Sequence, residues 1–155
     1  MSVQVAAFYG FTAMAALPEL QVELRALAEA GWVRGTILLA EEGVNGTISG
    51  PEPGVQAVLA RLRQLPGLSG LEAKFSEAPD QAFHRLKVRI KREIVTMGVA
   101  GIDPLASVGT YVAPEDWNAL IADPDTVVID TRNDYEVAIG SFAGAIDPKT
   151  ATFRD

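Results

Sequence analysis

Apolar positions along the first hundred residues switch between a period of two and a helical period, and Gly, Pro or polar pairs mark each switch. Residues 3–9, VQVAAFY, alternate as a strand with Val3, Val5 and Ala7 on one face. Over residues 18–30, Leu20, Leu24 and Leu27 recur at helical spacing; Pro18 suits a first turn and Gly31 fits the position after the helix end. Residues 34–40, RGTILLA, form a second strand, and 44–49, VNGTIS, a third. Two turns compete between them. Asn45-Gly46 is the stronger hairpin dipeptide, but it would leave Glu41 and Glu42 inside a long strand with a short partner. A turn at Glu41-Glu42-Gly43 gives strands of similar length and is preferred. Gly46 then lies inside the third strand, where glycine marks a bulge or a close backbone approach. A second helix over 53–65 carries Val55, Val58, Leu59, Leu62 and Leu65 on one stripe, between Gly50-Pro51 and Pro66-Gly67. A fourth strand follows at 71–76, then the loop SEAPDQ and a long strand over 84–95.

The order β-α-β-β-α-β predicts an α+β, ferredoxin-like (split β-α-β, acylphosphatase-like) domain: an antiparallel sheet with both helices on one face. Leu20, Leu24, Leu27, Val55, Leu59 and Leu62 are its expected core. From Gly98 to Ala113 the periodicity dissolves into a Gly-, Ala- and Pro-containing stretch, read as a linker. This divides the chain into a domain at 1–97, a linker at 98–113 and a second segment at 114–155. In that segment Pro114 opens a short helix with Trp117, Leu120 and Ile121 on one side, ended by Asp123-Pro124-Asp125. Residues 126–131, TVVIDT, then read as a short buried strand of an α/β unit.

Composition removes several kinds of chemistry. The chain of 155 residues has no cysteine, which excludes disulfides, thiolate metal sites and cysteine nucleophiles within it. A single histidine, His84, excludes a His-rich metal site; beside a basic strand it reads as a surface residue and not as a general base. No metal or organic cofactor is evident. No apolar run approaches the roughly 18 residues of a membrane span, and residues 3–8 lack the basic flank of a signal peptide. A cytoplasmic location and no membrane partner are expected.

Net charge is −7, which argues against nucleic acid until its distribution is considered. Residues 84–92, HRLKVRIKR, hold five of the thirteen Lys and Arg and no acid, leaving −12 on the remainder. Arg85, Lys87, Arg89 and Lys91 alternate with Leu86, Val88 and Ile90, so four cations share one strand face about 6.7 Å apart. Such a row can neutralise successive phosphates. The plainer alternative is a solvated or aggregation-resistant outer face. That alternative does not explain why the cations of an acidic chain are gathered here. In LLAEEGVNGTISG, residues 38–50, turn chemistry accounts for the glycines without a ligand, and Glu41 and Glu42 would repel phosphate.

Asp130-Thr131-Arg132 followed by Glu136 resembles the opening of a rhodanese domain, and Ser141-Phe142-Ala143-Gly144-Ala145 matches its next pattern imperfectly. The resemblance implies that Arg132 is a buried guanidinium held by carboxylates, with Asp130, Arg132 and Glu136 supporting an active-site loop and none of them catalytic. Taken with the AEEGVNGTISG hairpin and the LKVR and EIV runs, the whole chain resembles the bacterial tRNA uridine 5-hydroxylase family, rhodanese-domain proteins that oxidise the wobble uridine of tRNA to 5-hydroxyuridine with molecular oxygen. It would correspond to the N-terminal portion, with the family's cysteine loop lying beyond Asp155. The resemblance implies tRNA as partner, no DNA, molecular oxygen as co-substrate, and a thiolate acting near the uridine ring. The alternatives are a fragment of a rhodanese-type sulfurtransferase and a non-catalytic interaction domain.

Overall fold

The structure is a computed structural model that describes residues 2–95 and 109–152. It separates into two compact units, dividing after Val95.

The first unit runs β1 (Val3–Phe11), α1 (Leu17–Ala30), β2 (Arg34–Ala40), β3 (Gly43–Gly50), α2 (Glu52–Arg63), β4 (Ala73–Ala78) and β5 (Leu86–Ile90). Its sheet has the order β4-β1-β3-β2-β5. The four strands of the expected split β-α-β pair antiparallel throughout. The fifth is a correction to an all-antiparallel sheet, because β5 pairs parallel to β2, with Ile37 opposite Val88. Residues 79–85 carry the chain from the β4 edge to the β2 edge along one end of the sheet, so β5 enters beside β2 running in the same direction. Gln81 pins this crossing: its amide donates to the carbonyls of Trp32 and Ser49, and its side-chain oxygen accepts from the Ser49 hydroxyl.

The expected long strand over 84–95 is also shorter in fact. Backbone bonds from Gly35 N–H to Arg85 and from Lys91 N–H to Leu39 extend the ladder one residue beyond each end of β5. Past that point β2 has ended at Ala40 and offers no further partner.

Both helices cover one sheet face. The stripes of α1 and α2 bury Leu20, Leu24, Val55, Val58, Leu59 and Leu62 against Ala6, Phe8, Ile37, Leu39, Val44, Ile48 and Val88, with Leu27 half-buried at the margin. Each fully buried aliphatic side chain stabilises the fold by about 1.5–3 kcal/mol. On β1 it is Ala6 and Phe8 that meet the helices; Val3, Val5 and Ala7 line the opposite face and stay half-buried.

The chain turns at Glu41-Glu42, as the strand-length argument anticipates, and Ala40 pairs with Gly43. A Cβ at Gly46 would lie 2.7 Å from the Phe8 ring and 2.9 Å from the Thr36 carbonyl, so this glycine answers a close approach. Gly31 follows the same logic. Its φ is −85°, whereas Trp32 takes the left-handed conformation at φ 57°. A side chain at Gly31 would come within 2.7 Å of the Gly54 Cα, so the glycine lets the end of α1 touch the start of α2.

The second unit contains a 3-10 turn at Pro114–Asp116, α3 (Trp117–Ala122) and α4 (Asp134–Ile139). The expected linker at 98–113 lies mostly outside the described residues. The buried strand expected at 126–131 is replaced by one parallel bridge between Ile129 and Ile146, and Val127 and Ile129 are 68% and 56% exposed. Two ladder bonds, from Asp130 N–H to Ile146 and from Ile146 N–H to Val128, are too few to define a strand. Among the described residues of this unit none is buried as a whole, although the Asp130 side chain is largely covered.

Candidate nucleic-acid interface

Strand register decides which side chains share the sheet face that the helices leave open. Lys87 lies in one cross-strand row with Thr36, Thr47, Ala7 and Lys74; Arg89 lies in the next with Leu38, Asn45 and Tyr9. Val88, between the two cations, is buried against α1, whose Gln21 and Arg25 donate to the Val88 carbonyl. That packing fixes the orientation of β5, so Lys87 and Arg89 must point away from the helices. Arg85 and Lys91 continue the alternation at the two flanking ladder positions, and all four cations are exposed. Among the described residues no ion pair involves any of them. His84 is exposed beside the row.

The strand positions of the open face carry Arg34, Lys74, Lys87 and Arg89 and no carboxylate. The acids of the unit lie elsewhere: on the helices, in loops, and at Glu77 of β4, which pairs with Gln4 on the helix-covered side of the sheet. On α1 and α2 they are partly neutralised, as where Arg61 meets Glu23 at 2.6 Å and holds its carboxyl below the usual range.

The two conspicuous polar residues of the β2–β3 hairpin have a structural use. Asn45 donates its amide to the Ile94 carbonyl at 3.0 Å, and the Glu42 carboxylate accepts from the Ile94 N–H at 2.6 Å. They clamp the segment after β5 onto the hairpin and bury Ile94. The sequence suggests only turn chemistry here; the clamp joins residues about fifty positions apart and leaves no local signature.

In the second unit Arg132 forms a fork on Asp130, with Nε to Oδ1 at 3.0 Å and Nη2 to Oδ2 at 2.7 Å. Nη2 also donates to the Gly140 carbonyl, and Ser141 donates its hydroxyl to Asp130 at 2.7 Å. The Arg132 guanidinium, foremost, and then the Ser141 hydroxyl hold the Asp130 carboxyl well below the usual carboxylate range. Arg132 was expected to be buried, but its side chain is half exposed, since nothing among the described residues of this unit covers it.

Glu136 does not join Asp130 and Arg132 in direct contact. Its carboxylate accepts from the Asn133 N–H at the start of α4, one half of a capping box. The Asn133-x-x-Glu136 spacing carries that signal in the sequence, and α4 was nevertheless not among the expected elements. Asp130, Thr131, Arg132 and Ser141 line a concavity of about 650 Å³, with the stacked rings of Trp117 and Phe142, 5.3 Å apart, beside them. Among the described residues there is no cluster of His, Asp and Glu able to hold a metal ion, and no helix long and apolar enough to cross a membrane.

A four-stranded antiparallel sheet of order β4-β1-β3-β2, with both helices on one face, defines the first unit as an acylphosphatase-like α+β domain. The chain belongs to the family described as the UPF0176 acylphosphatase-like domain, whose model matches residues 3–94. It is similar to proteins named tRNA uridine(34) hydroxylase: one from Rhizobium etli is 61% identical over 151 residues, covering 97% of this chain and 49% of the relative. One from Mesorhizobium japonicum is 56% identical over 153 residues, covering 99% of this chain and 50% of the relative. The chain thus spans about half the length of the curated relatives it matches. Among solved structures, an acylphosphatase from Coxiella burnetii has 13% identity and a TM-score of 0.40, covering 57% of this chain and 93% of that one.

Proposed function

We propose that this chain is the N-terminal, tRNA-contacting part of a tRNA uridine(34) hydroxylase, a cytoplasmic oxidoreductase that converts the wobble uridine to 5-hydroxyuridine with molecular oxygen. The names of the relatives support the activity. The observation that carries the role of this part is the row Arg85, Lys87, Arg89 and Lys91: four exposed cations without ion pairs among the described residues, on the face whose strand positions carry no carboxylate, in a chain of net charge −7. Backbone phosphates are the ligands such a row suits, and contacts of this kind position an RNA without reading its sequence. DNA is not the expected partner. In the second unit, residues 114–155 correspond to the start of a rhodanese domain after a linker at 98–113, and Asp130, Arg132 and Glu136 hold the loop geometry of that domain.

The test is tRNA binding by the Lys87→Gln, Arg89→Gln double variant as salt is raised. Wild-type affinity should fall steeply with salt, and the variant should bind all tRNAs more weakly to a similar degree. The log–log salt slope should flatten by up to roughly one unit per lost contact. Thermal stability should barely change, since exposed single charges contribute little. Unchanged affinity in the double variant would reduce the row to a solvated face. Because residues 1–155 contain no thiol, the purified chain should show neither hydroxylase nor thiosulfate sulfurtransferase turnover. Sustained turnover by material free of host enzyme would point to a different chemistry.

A further inference from the structure

Register brings a further cation to one end of the row. Gly35 pairs with Leu86 and donates its N–H to the Arg85 carbonyl, so Arg34 and Arg85 stand at neighbouring positions of β2 and the start of β5. Arg34 faces the open side of the sheet in a cross-strand row with Ser49 and Val5, while Val33 and Gly35 on either side of it are buried. At the usual strand spacing the two arginine backbones are about 4.8 Å apart. Side chains so placed are within reach of each other, and like charges at such positions destabilise a sheet.

Among the described residues no carboxylate offsets this repulsion. Neither guanidinium takes part in an ion pair, and Asp80, beside Gln81 in the chain, pairs with neither. Arg34 Nη1 reaches the Val33 carbonyl at 3.3 Å, a single long bond for a group with five N–H donors. Arg34 is half-buried, whereas a cation that serves solubility stands in water, as Lys91 does. Its other neighbour, Ser49, is fully buried under Gln81, whose side-chain oxygen accepts from the Ser49 hydroxyl and whose amide donates to the Ser49 and Trp32 carbonyls. At the opposite end of β3, Ile94 is clamped onto Asn45. Gln81 thus occupies the β3 side of Arg34, and the β5 side is left to Arg85 and, one step along the face, Lys87. Two neighbouring guanidinium groups without a counter-ion suit an oxyanion. Each planar fork can donate two parallel N–H bonds, and a negative group between them turns repulsion into attraction.

We propose that Arg34 and Arg85 clamp one backbone phosphate of the RNA and so fix the register in which Lys87, Arg89 and Lys91 meet the phosphates that follow. The inference rests on the tRNA-contacting role of this unit. It adds a binding residue outside the row and a fixed starting point on it.

The test compares tRNA binding by the 155-residue chain with that of Arg34→Gln, Arg34→Lys, Lys74→Gln and the Lys87→Gln, Arg89→Gln double variant. Arg34→Gln should weaken binding roughly tenfold. Arg34→Lys keeps the charge and loses the fork, and should weaken it nearly as much. Lys74→Gln removes one charge from the same face three strands away and should matter far less. Full affinity in Arg34→Lys, or equal losses in Arg34→Gln and Lys74→Gln, overturns the clamp, because the face then acts as diffuse charge. Full affinity in Arg34→Gln with a loss in the double variant overturns the clamp and leaves the phosphate row standing. Unchanged affinity in both overturns the two readings together. Melting supplies a second measurement. Inorganic phosphate in place of chloride, at equal ionic strength, should raise the wild-type midpoint more than that of Arg34→Gln. Equal rises overturn the clamp. A larger wild-type rise with unchanged tRNA affinity in Arg34→Gln also overturns it, since the pair then holds a free anion and not RNA. Arg85→Gln, at an exposed position, gives the same comparisons should Arg34→Gln fail to fold.

Discussion

Single residues in this chain are settled by close contact more than by their own propensities. Gly54 sits inside α2, where alanine would ordinarily be favoured over glycine by about 1 kcal/mol. A Cβ there would lie 2.3 Å from the Gly31 carbonyl oxygen, backbone that cannot swing aside as a side chain could. Gly54→Ala should therefore destabilise the unit by about 1–3 kcal/mol, read as a lowered midpoint in urea; a stabilised variant would mean that the helices separate without cost. Asp130 offers a residue-scale prediction in pH. Its folded-state pKa is depressed by Arg132 and Ser141. Its contribution to folding is therefore fully present above the unfolded carboxylate value near 4 and is lost as pH falls below that value towards the folded pKa. Carboxyl-carbon NMR should place the Asp130 midpoint below that of an unfolded aspartate, and a midpoint at or above it would contradict the Arg132 fork.

At the scale of elements, the hairpin from β2 to β3 works as a latch for the segment after β5. The Asn45 amide and the Glu42 carboxylate hold opposite backbone groups of Ile94, one accepting and one donating. Asn45→Ala leaves the Ile94 carbonyl without its partner, at a cost of about 1–3 kcal/mol where the group stays buried. Amide exchange at Ile94 should accelerate in Glu42→Ala, which removes the acceptor of that N–H, while the N–H groups of β3 keep their protection. Uniform loss of protection across the sheet would show that the latch belongs to the global fold and not to a local closure. The helical stripes, the turn at Glu41-Glu42 and the close approach at Gly46 were all legible in the sequence, because each reflects solvation or sterics within a few residues. The helix α4 was not read from the sequence although Asn133 and Glu136 carry its capping signal, because its short apolar stripe gives a weaker periodicity than the longer helices.

Across the molecule the two units differ in what holds them. The first has a continuous core from Ala6 to Val88, whereas the described residues of the second include no buried hydrophobic residue. Ordering the backbone costs about 1–2 kcal/mol per residue and has to be offset mainly by apolar burial. Hydrogen exchange should consequently show the amides of residues 109–152 exchanging far faster than those of α1, α2 and the central strands. A truncated chain ending at Val95 should keep the melting transition of the first unit. Equal protection in both units, or collapse of the truncated chain, would refute the division.

The alternation of Arg85, Lys87, Arg89 and Lys91 with Leu86, Val88 and Ile90 determined by itself that four cations share a face, because the period of a strand is a local property of the backbone. The helical stripes likewise determined which helix residues enter the core, with Leu27 alone of the six expected left half-buried. Only the tertiary structure decided that β5 joins β2 in parallel, that its cations look out on the face holding Arg34 and Lys74, and that Gln81 and Ile94 bound that face at its two ends. Periodicity records which side of an element avoids water. Which strands become neighbours depends on where connections such as residues 79–85 can reach and on pairing between residues far apart in the chain, and no local pattern encodes that.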